Sequence, residues 1–344
     1  MSQLALVYGA DLKQTVQSQP IPEPSNGFVQ VRVEVAAFNP VDYKIYDGLP
    51  LVQKYPTVLG GEGAGEVTKI GPGVTKFKVG DRVTFMAYLP GGPNDKERGA
   101  FQQYALADVR FTAKIPNSID YDSASSFPVN GNTAAGELYG QLKFTEPWLG
   151  AEGAYKGEKI VILGGSSSVG SYTIQFAVLS GLEVITTSSP AHFDYLKSLG
   201  ATAVIDRSAP DAAAQILAAA GGPVKYVVDA ISLQPTQLLG VEILQHKGKL
   251  VLVLPTEPSA KTAAEAKDIS LLGGVGHDNF YFSEPFWNSV GSYLERGAVT
   301  PNRITVLPRR TTFMGRGFRP SQAGESERHK ARHATTRDEV VCPY

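Results

Sequence analysis

The chain has 344 residues, 42% of them hydrophobic and 19% charged, with 32 Lys and Arg against 33 Asp and Glu for a formal charge of -1. That length exceeds what one core serves and points to two domains, and near-neutral charge with no long basic or acidic block before residue 308 argues against a nucleic-acid or anionic-membrane partner. The one cysteine, Cys342, excludes a disulfide within the chain and a cysteine-rich zinc site; no apolar run reaches membrane-spanning length and Met1 to Ala10 has no signal-peptide pattern, so a cytoplasmic location is the default.

Residues 1–128 consist of short β-rich runs punctuated by Pro and Gly, with little helical periodicity, and predict a β-barrel-like domain. Phe28 to Ala36 alternates apolar and polar residues as a half-exposed antiparallel strand does; Glu66 to Ile70 and Arg82 to Met86 repeat the pattern around the turns GPGV and KVGD. Leu59 to Gly65 holds too many glycines for a regular element, and reads either as turns and bulges where backbones cross closely or as a ligand-facing loop. Asp122 to Gly140 is a small-residue helical segment leading into the second domain.

Lys159 to Ser189 organises that second domain as strand, Gly/Ser turn, helix and strand. Ile160 to Leu163 is an apolar run of the kind buried on both faces of a parallel sheet. Gly165, Ser167 and Gly170 fall at the first, third and sixth places of the dinucleotide fingerprint, where small residues let a pyrophosphate approach a helix N-terminus; serine at the middle place weakens the match. The bland alternative is a tight turn that needs small residues for packing alone. Beyond the helix, which Gly181 ends, Leu182 to Thr187 is a strand. Tyr195 to Leu199 then reads as helix, Ala203 to Ile205 as strand, Asp211 to Ala220 as helix, Tyr226 to Ala230 as strand, Gln237 to Gln245 as helix and Leu250 to Leu254 as strand. This alternation predicts a parallel, doubly wound sheet with its ligand at the carboxyl ends of the strands. From about Gly276 a loop precedes an amphipathic helix, and Asn302 to Leu307 is a strand. Residues 309–344 have few aliphatic side chains and carry eight Lys and Arg against four Asp and Glu, the composition of a disordered tail.

The segments AAFNPVDYKIYDG, LGGEGAGEV, GVTKFKVGDRV, GGSSSVGSYTIQFAVLSGLEVITTSS, KSLGAT, VVDAIS and TPNRITVLP, in this order, resemble the medium-chain dehydrogenase/reductase superfamily, in its zinc-independent quinone-oxidoreductase and trans-acting enoyl-reductase branch. The resemblance runs from residue 1 to about 308. It implies an α/β fold: a GroES-like β-barrel catalytic domain over 1–128, a doubly wound parallel-sheet (Rossmann) NADP-binding domain over 129–275, and a return to the catalytic domain over 276–308. In the zinc alcohol dehydrogenases of the superfamily a cysteine near the start of the segment matching Phe38 to Asp42, and a histidine in a Gly-His-Glu motif, hold the metal. Here those places read FNPVD and Gly60-Gly61-Glu62, so the expected metal-ligand set is none, and the expected reaction is hydride delivery to an acceptor that is already electrophilic.

The cofactor implied is NADPH, with its phosphates over Gly165, Ser166, Ser167, Ser168, Val169 and Gly170. An NAD-selective site places an acid about twenty residues past the glycines, whereas Thr186, Thr187, Ser188 and Ser189 stand there; His192, Lys197 and Arg207 are the nearby cations, and the resemblance favours the Ser188 and His192 region. Taken singly, Lys197 also reads as a solvated helix residue and His192 as a surface helix-start residue. Asn39, Tyr43 and Lys44 resemble cleft-lining groups that orient, protonate or electrostatically support the enolate left after hydride addition, although Asn before Pro is a common turn and Asp42 reads as a helix cap. By family analogy Thr133 lies beside the nicotinamide, and Asp229, Leu252 and Val253 close the other side.

The function expected is therefore NADPH-dependent reduction of an α,β-unsaturated carbonyl, enoyl thioester or quinone, with a small-molecule or carrier-bound substrate. A nucleotide-binding structural protein of crystallin type is the rival, and monomer and homodimer both stay open. In the family the chain continues after Pro308 through a helix and a final strand. Choosing permitted codons for Arg309 to His333 and reading from their second base gives GGLLSWVEGFDRLKQGKVSGTKLV, which restores that ending and makes a shifted reading frame a hypothesis for the tail.

Overall fold

The computed structural model describes residues 1–11, 13–46, 52, 54–87, 96–273, 281–307 and 339–343. They divide into two units, the first built from the described residues of Met1–Val129, Val290–Glu295 and Pro301–Tyr344, the second from those of Asn130–Ser289 and Arg296–Thr300. Residues 281–289 and 296–300 thus cluster with the second unit, beyond the boundary at 275 expected from sequence.

The first unit opens with β1 (Ser2–Tyr8), β2 (Gln14–Pro20), β3 (Phe28–Ala37), helix α1 (Pro40–Tyr46), β4 (Thr57–Val58), β5 (Glu62–Ile70), β6 (Arg82–Met86), β7 (Tyr104–Asp108) and β8 (Thr112–Lys114). Among the described residues, β2-β1-β4 form one small sheet, and β3 is the spine of a second, pairing antiparallel with β5 and with β7. Val29, Val31, Val67, Val83 and Phe85 fill the core, each contributing about 1.5–3 kcal/mol by burial. The glycine-rich stretch resolves differently from expectation: Glu62 to Gly65 belong to β5 itself. Glycine is needed there because β3 bulges between Val33 and Val35, and a Cβ on Gly65 would lie 2.0 Å from the Arg32 carbonyl oxygen.

Short helices α2 (Tyr121–Ser125) and α3 (Pro128–Ala135) follow, then a π-helical turn, Gly136–Gln141. In the second unit, β9 (Lys159–Leu163), α4 (Ser168–Leu179), β10 (Glu183–Ser188), α5 (Phe193–Ser198), β11 (Ala203–Asp206), α6 (Ala212–Ala220), β12 (Val224–Asp229), α7 (Gln234–Ile243), β13 (Leu244–Leu252), α8 (Pro258–Ala266) and β14 (Ser270–Gly273) alternate. The six strands run parallel in the order β11-β10-β9-β12-β13-β14. Chain direction across the sheet reverses at β9, so the switch point of this doubly wound sheet sits at the carboxyl end of β9, at Gly164. Ile160 to Leu163 are fully buried there. The apolar-run reading missed α8 and β14, and Leu244 and Gln245, expected in a helix, open strand β13.

Helix α9 (Glu284–Glu295) fits the amphipathic pattern, and β15 (Ile304–Leu307) matches the strand expected from Asn302. The tail needs a correction. Residues 309–338 lie outside the described residues, but Glu339–Pro343 form β16, antiparallel to β15 and parallel to the end of β3. Composition averaged over the polar tail hides a short Val-Val run that finds backbone partners on two strands.

Candidate functional site

The turn after β9 is shaped by backbone contact. Gly164 has φ +79°, and a Cβ on Gly165 would meet Thr186 Oγ1 at 2.1 Å. On Gly170 it would meet the Gly164 carbonyl oxygen at 2.4 Å and Gly165 Cα at 2.9 Å, so α4 starts against the turn itself. Ser167 has a positive reason to replace glycine at the middle place: it is the N-cap of α4, its hydroxyl accepting the Gly170 N–H at 3.0 Å. Ser166, Ser167, Ser168 and Val169 are half-buried around the helix start. No charged side chain occurs from Ile160 to Leu182, so what this turn offers an anion is amide N–H groups and the positive end of α4. A cradle that a Cβ would fill, at the switch point of a parallel sheet, fits the pyrophosphate of a dinucleotide.

At the end of β10, Ser188 is buried, its hydroxyl is without a hydrogen-bond partner, and its carbonyl accepts the Arg207 N–H at 2.9 Å. Ser189 and His192 are half-buried around the short 3-10 turn Pro190–His192; Arg207 and Lys197 are exposed. Sequence reasoning found no acid at the end of this strand, but pairing brings one alongside: Asp206 on β11 is in register with Ser188. Its Oδ1 accepts the Ser208 N–H at 3.0 Å and the Ser208 hydroxyl at 2.8 Å, and these bonds hold the carboxyl below its usual range.

Beyond β12, buried Asp229 organises the loop, its Oδ1 accepting N–H groups of Ile231 (3.0 Å) and Ser232 (2.8 Å). Burial pushes the Asp229 carboxyl up, against these bonds. The Ser232 hydroxyl donates to the Asp229 carbonyl at 2.6 Å and accepts the Val253 N–H at 2.8 Å, tying the ends of β12 and β13 together beside buried Leu252 and half-buried Val253. Sequence reasoning missed Ser232, although the spacing Asp-x-x-Ser was a signal for a side-chain-capped turn. Thr133 is half-buried on α3. One turn further on, Glu137 is fully buried, with Oε2 2.7 Å from Thr173 Oγ1. Burial raises its carboxyl to about 8, opposed by the Thr173 bond and assisted by the Asp229 charge. It too was missed, and the one acid in NGNTAAGELYGQL was the only hint.

In the first unit, Asn39 stands just before α1. Its N–H donates to Asp42 Oδ2 at 2.8 Å while the Asp42 N–H donates to its carbonyl at 3.0 Å, so Asp42 serves the helix start. The Asn39 side chain donates to Glu62 Oε1 at 2.7 Å, and Glu62 Oε2 accepts the Val129 N–H at 2.6 Å. Glu62 is fully buried and pushed up to about 8 by burial, against both hydrogen bonds, with the Asp42 charge adding to the rise. Asn39 is therefore engaged in holding a buried acid. Tyr43 and Lys44 are half-buried on α1, and burial lowers the Lys44 ammonium from its ordinary value. Among the described residues no three His, Cys, Asp or Glu side chains group to hold a metal ion. No helix among them is long and apolar enough to cross a membrane.

Residues 25–117 match the alcohol dehydrogenase GroES-like domain and residues 168–275 the zinc-binding dehydrogenase family. Dehydrogenase pigH of Monascus ruber is 36% identical over 250 residues, 71% of this chain and 67% of that protein. The chain belongs to the medium-chain dehydrogenase/reductase superfamily. Within it, the trans-enoyl reductase himH of Aspergillus japonicus is 40% identical over 221 residues, 64% of this chain and 63% of that protein. The chain spans about three fifths of the length of the relatives that match it at 40–41% identity. Among solved structures, an alcohol dehydrogenase superfamily protein from Novosphingobium aromaticivorans superimposes with a TM-score of 0.73 at 25% identity, covering 87% of this chain and 89% of that one. The superfamily's two-part α/β fold is thus that of this chain: a GroES-like barrel and a Rossmann sheet.

Proposed function

We propose that this protein is an NADPH-dependent, zinc-independent reductase that delivers hydride to an α,β-unsaturated carbonyl, an enoyl thioester or a quinone. The observation that carries the reading is the turn at the end of β9, where Gly165 and Gly170 leave no room for a Cβ and the stretch from Ile160 to Leu182 that forms the turn and α4 holds no charged residue. When bound, the nicotinamide cofactor supplies the hydride. The amides at the start of α4 hold the pyrophosphate, and Ser188, Ser189, His192 and Arg207 receive the 2′-phosphate. In this reading Asp206, although in register with Ser188, is occupied by Ser208.

Thr133, Asp229, Leu252 and Val253 border the nicotinamide in this reading. The Tyr43 hydroxyl donates the proton that completes the reduction, and the Lys44 ammonium stabilises the developing enolate oxygen. Asn39 keeps Glu62 in place behind α1. The non-metal assignment is supported by the donor set, an amide and a glycine in place of thiolate and imidazole. A relative named a trans-enoyl reductase supports the enoyl class. The test is NADPH oxidation against a panel of quinones, enals and enoyl thioesters, with NADH in parallel and metal analysis of the purified protein. Turnover of NADH equal to that of NADPH, or stoichiometric zinc, defeats the reading.

A further inference from the structure

The Thr173 hydroxyl of α4 has two oxygen neighbours, Glu137 Oε2 at 2.7 Å and the Val169 carbonyl at 3.0 Å. A threonine hydroxyl owns one hydrogen, and a carbonyl can only accept. When Glu137 is ionised, Thr173 donates to its carboxylate; both contacts are full two-centre hydrogen bonds at once only when the hydrogen in the shorter one belongs to Glu137, so that Glu137 donates to Thr173 and Thr173 donates to Val169.

The surroundings favour the same state. Glu137 is fully buried, and its Oε1, like Oδ2 of buried Asp229, is without a hydrogen-bond partner. A protonated acid leaves a neutral carbonyl oxygen there, whereas an ionised one leaves a buried charge uncompensated. Among the described residues, α4 has no Asp, Glu, Lys, Arg or His, with Tyr172 its only titratable side chain, β14 has none, and Asp229 at the end of β12 is a like charge. Val169, where this relay ends, lies in the first turn of α4, and Glu137 follows Thr133 by one helical turn.

We propose that Glu137 is kept protonated and acts as a proton-dependent positioning residue for the first turn of α4, so that its ionisation weakens binding of the dinucleotide. The inference rests on the reading of that turn as the NADPH phosphate site. Ionisation draws the Thr173 hydrogen away from Val169 and places a negative charge behind the helix start that receives the pyrophosphate. Burial sets the change near pH 8.

The experiment is fluorescence titration with NADPH from pH 6.5 to 9.5 for the wild-type protein and for Glu137→Gln, whose amide N–H replaces the acid proton toward Thr173. Thermal unfolding of the ligand-free proteins across the same range accompanies it. Wild-type affinity is expected to fall at least fivefold above pH 8, about 1 kcal/mol, while Glu137→Gln stays within about twofold throughout, about 0.4 kcal/mol. Should the glutamine variant fail to fold, Glu137→Leu and infrared detection of a protonated carboxyl in the wild-type protein at pH 7 replace it. Parallel pH profiles in wild type and variant, or absence of any protonated carboxyl band at pH 7, overturn the inference while leaving the cofactor reading intact. Failure to bind NADPH at any pH defeats the cofactor reading and this inference with it.

Discussion

Replacing Gly170 by valine probes the turn on which the cofactor reading depends. A Cβ at that position would stand 2.4 Å from the Gly164 carbonyl oxygen, 2.9 Å from Gly165 Cα and 3.0 Å from Ser167 Oγ, where ordinary contact begins near 3.4 Å. Two of the three obstacles are backbone, so no rotamer relieves them, and the first turn of α4 must retreat by about 1 Å. Overpacking of this kind costs about 1–3 kcal/mol. The retreat also breaks the bond from the Gly170 N–H to the Ser167 hydroxyl, a helix cap worth about 0.5–2 kcal/mol. If about 2–3 kcal/mol of that disturbance reaches the amides that hold the pyrophosphate, NADPH affinity falls by roughly 30- to 150-fold. Lys197→Ala, at an exposed position on α5, is the control and is expected to stay within about 0.5 kcal/mol of wild type. Fluorescence titration measures binding, and thermal unfolding reports how much of the loss is global. A Gly170→Val protein that unfolds at the wild-type temperature and binds NADPH within about twofold of wild type would refute the argument from steric closeness.

Ser188→Asp places a carboxylate where the proposed function puts the 2′-phosphate, and should move the ratio of kcat/KM for NADPH over NADH by about two decades, roughly 2.7 kcal/mol; unchanged NADPH kinetics would show the phosphate site misplaced. Asp206→Asn removes the neighbouring charge and should strengthen NADPH binding several-fold without affecting NADH, read from the two dissociation constants. Glu62→Gln sets an amide NH2 against either Asn39 Nδ2 or the Val129 N–H, leaving a buried donor unpaired, and should cost about 1–3 kcal/mol in thermal or denaturant unfolding; a neutral result would mean the site relaxes. Because Glu62 and Glu137 titrate near 8 in the fold against 4.5 as ordinary side chains, the folded state binds the extra protons, and their contribution to stability is full below about pH 4.5, lost as pH rises through 8 and level above it; a melting temperature that climbs from pH 5 to pH 8 in the wild-type protein but not in the glutamine variants would reverse the sign. The shifted-frame hypothesis expects sequencing of gene and transcript to find one base displaced near the Pro308 codon, and a protein with the restored ending to melt higher. An uninterrupted frame with a protease-resistant tail would show the present ending to be native.

Much of the second unit was legible because its signals are local. An apolar run, a Gly/Ser turn and an apolar helix within thirty residues specify β9, α4 and β10 whatever surrounds them, and the steric need for Gly165 and Gly170 follows from the same short stretch. The elements that escaped were those whose patterns conflict with their setting: Glu62 to Gly65, glycine-rich yet a strand because β3 bulges opposite, and Glu339–Pro343, a strand inside a polar tail.

By itself, then, the amino-acid sequence determined most of the alternation of strands and helices and the small residues of the turn after β9, since each depends on neighbours within a helical turn or a strand, and the order of its motifs along the chain determined the family. Only the tertiary structure decided the strand order that puts the switch point at β9, the pairing that sets Asp206 beside Ser188, and the burial that pushes the Glu62 and Glu137 carboxyls up. Those properties arise from chain segments far apart in sequence. Register aligns the first pair, and removal from water, which penalises the charged form of a carboxyl, sets the second.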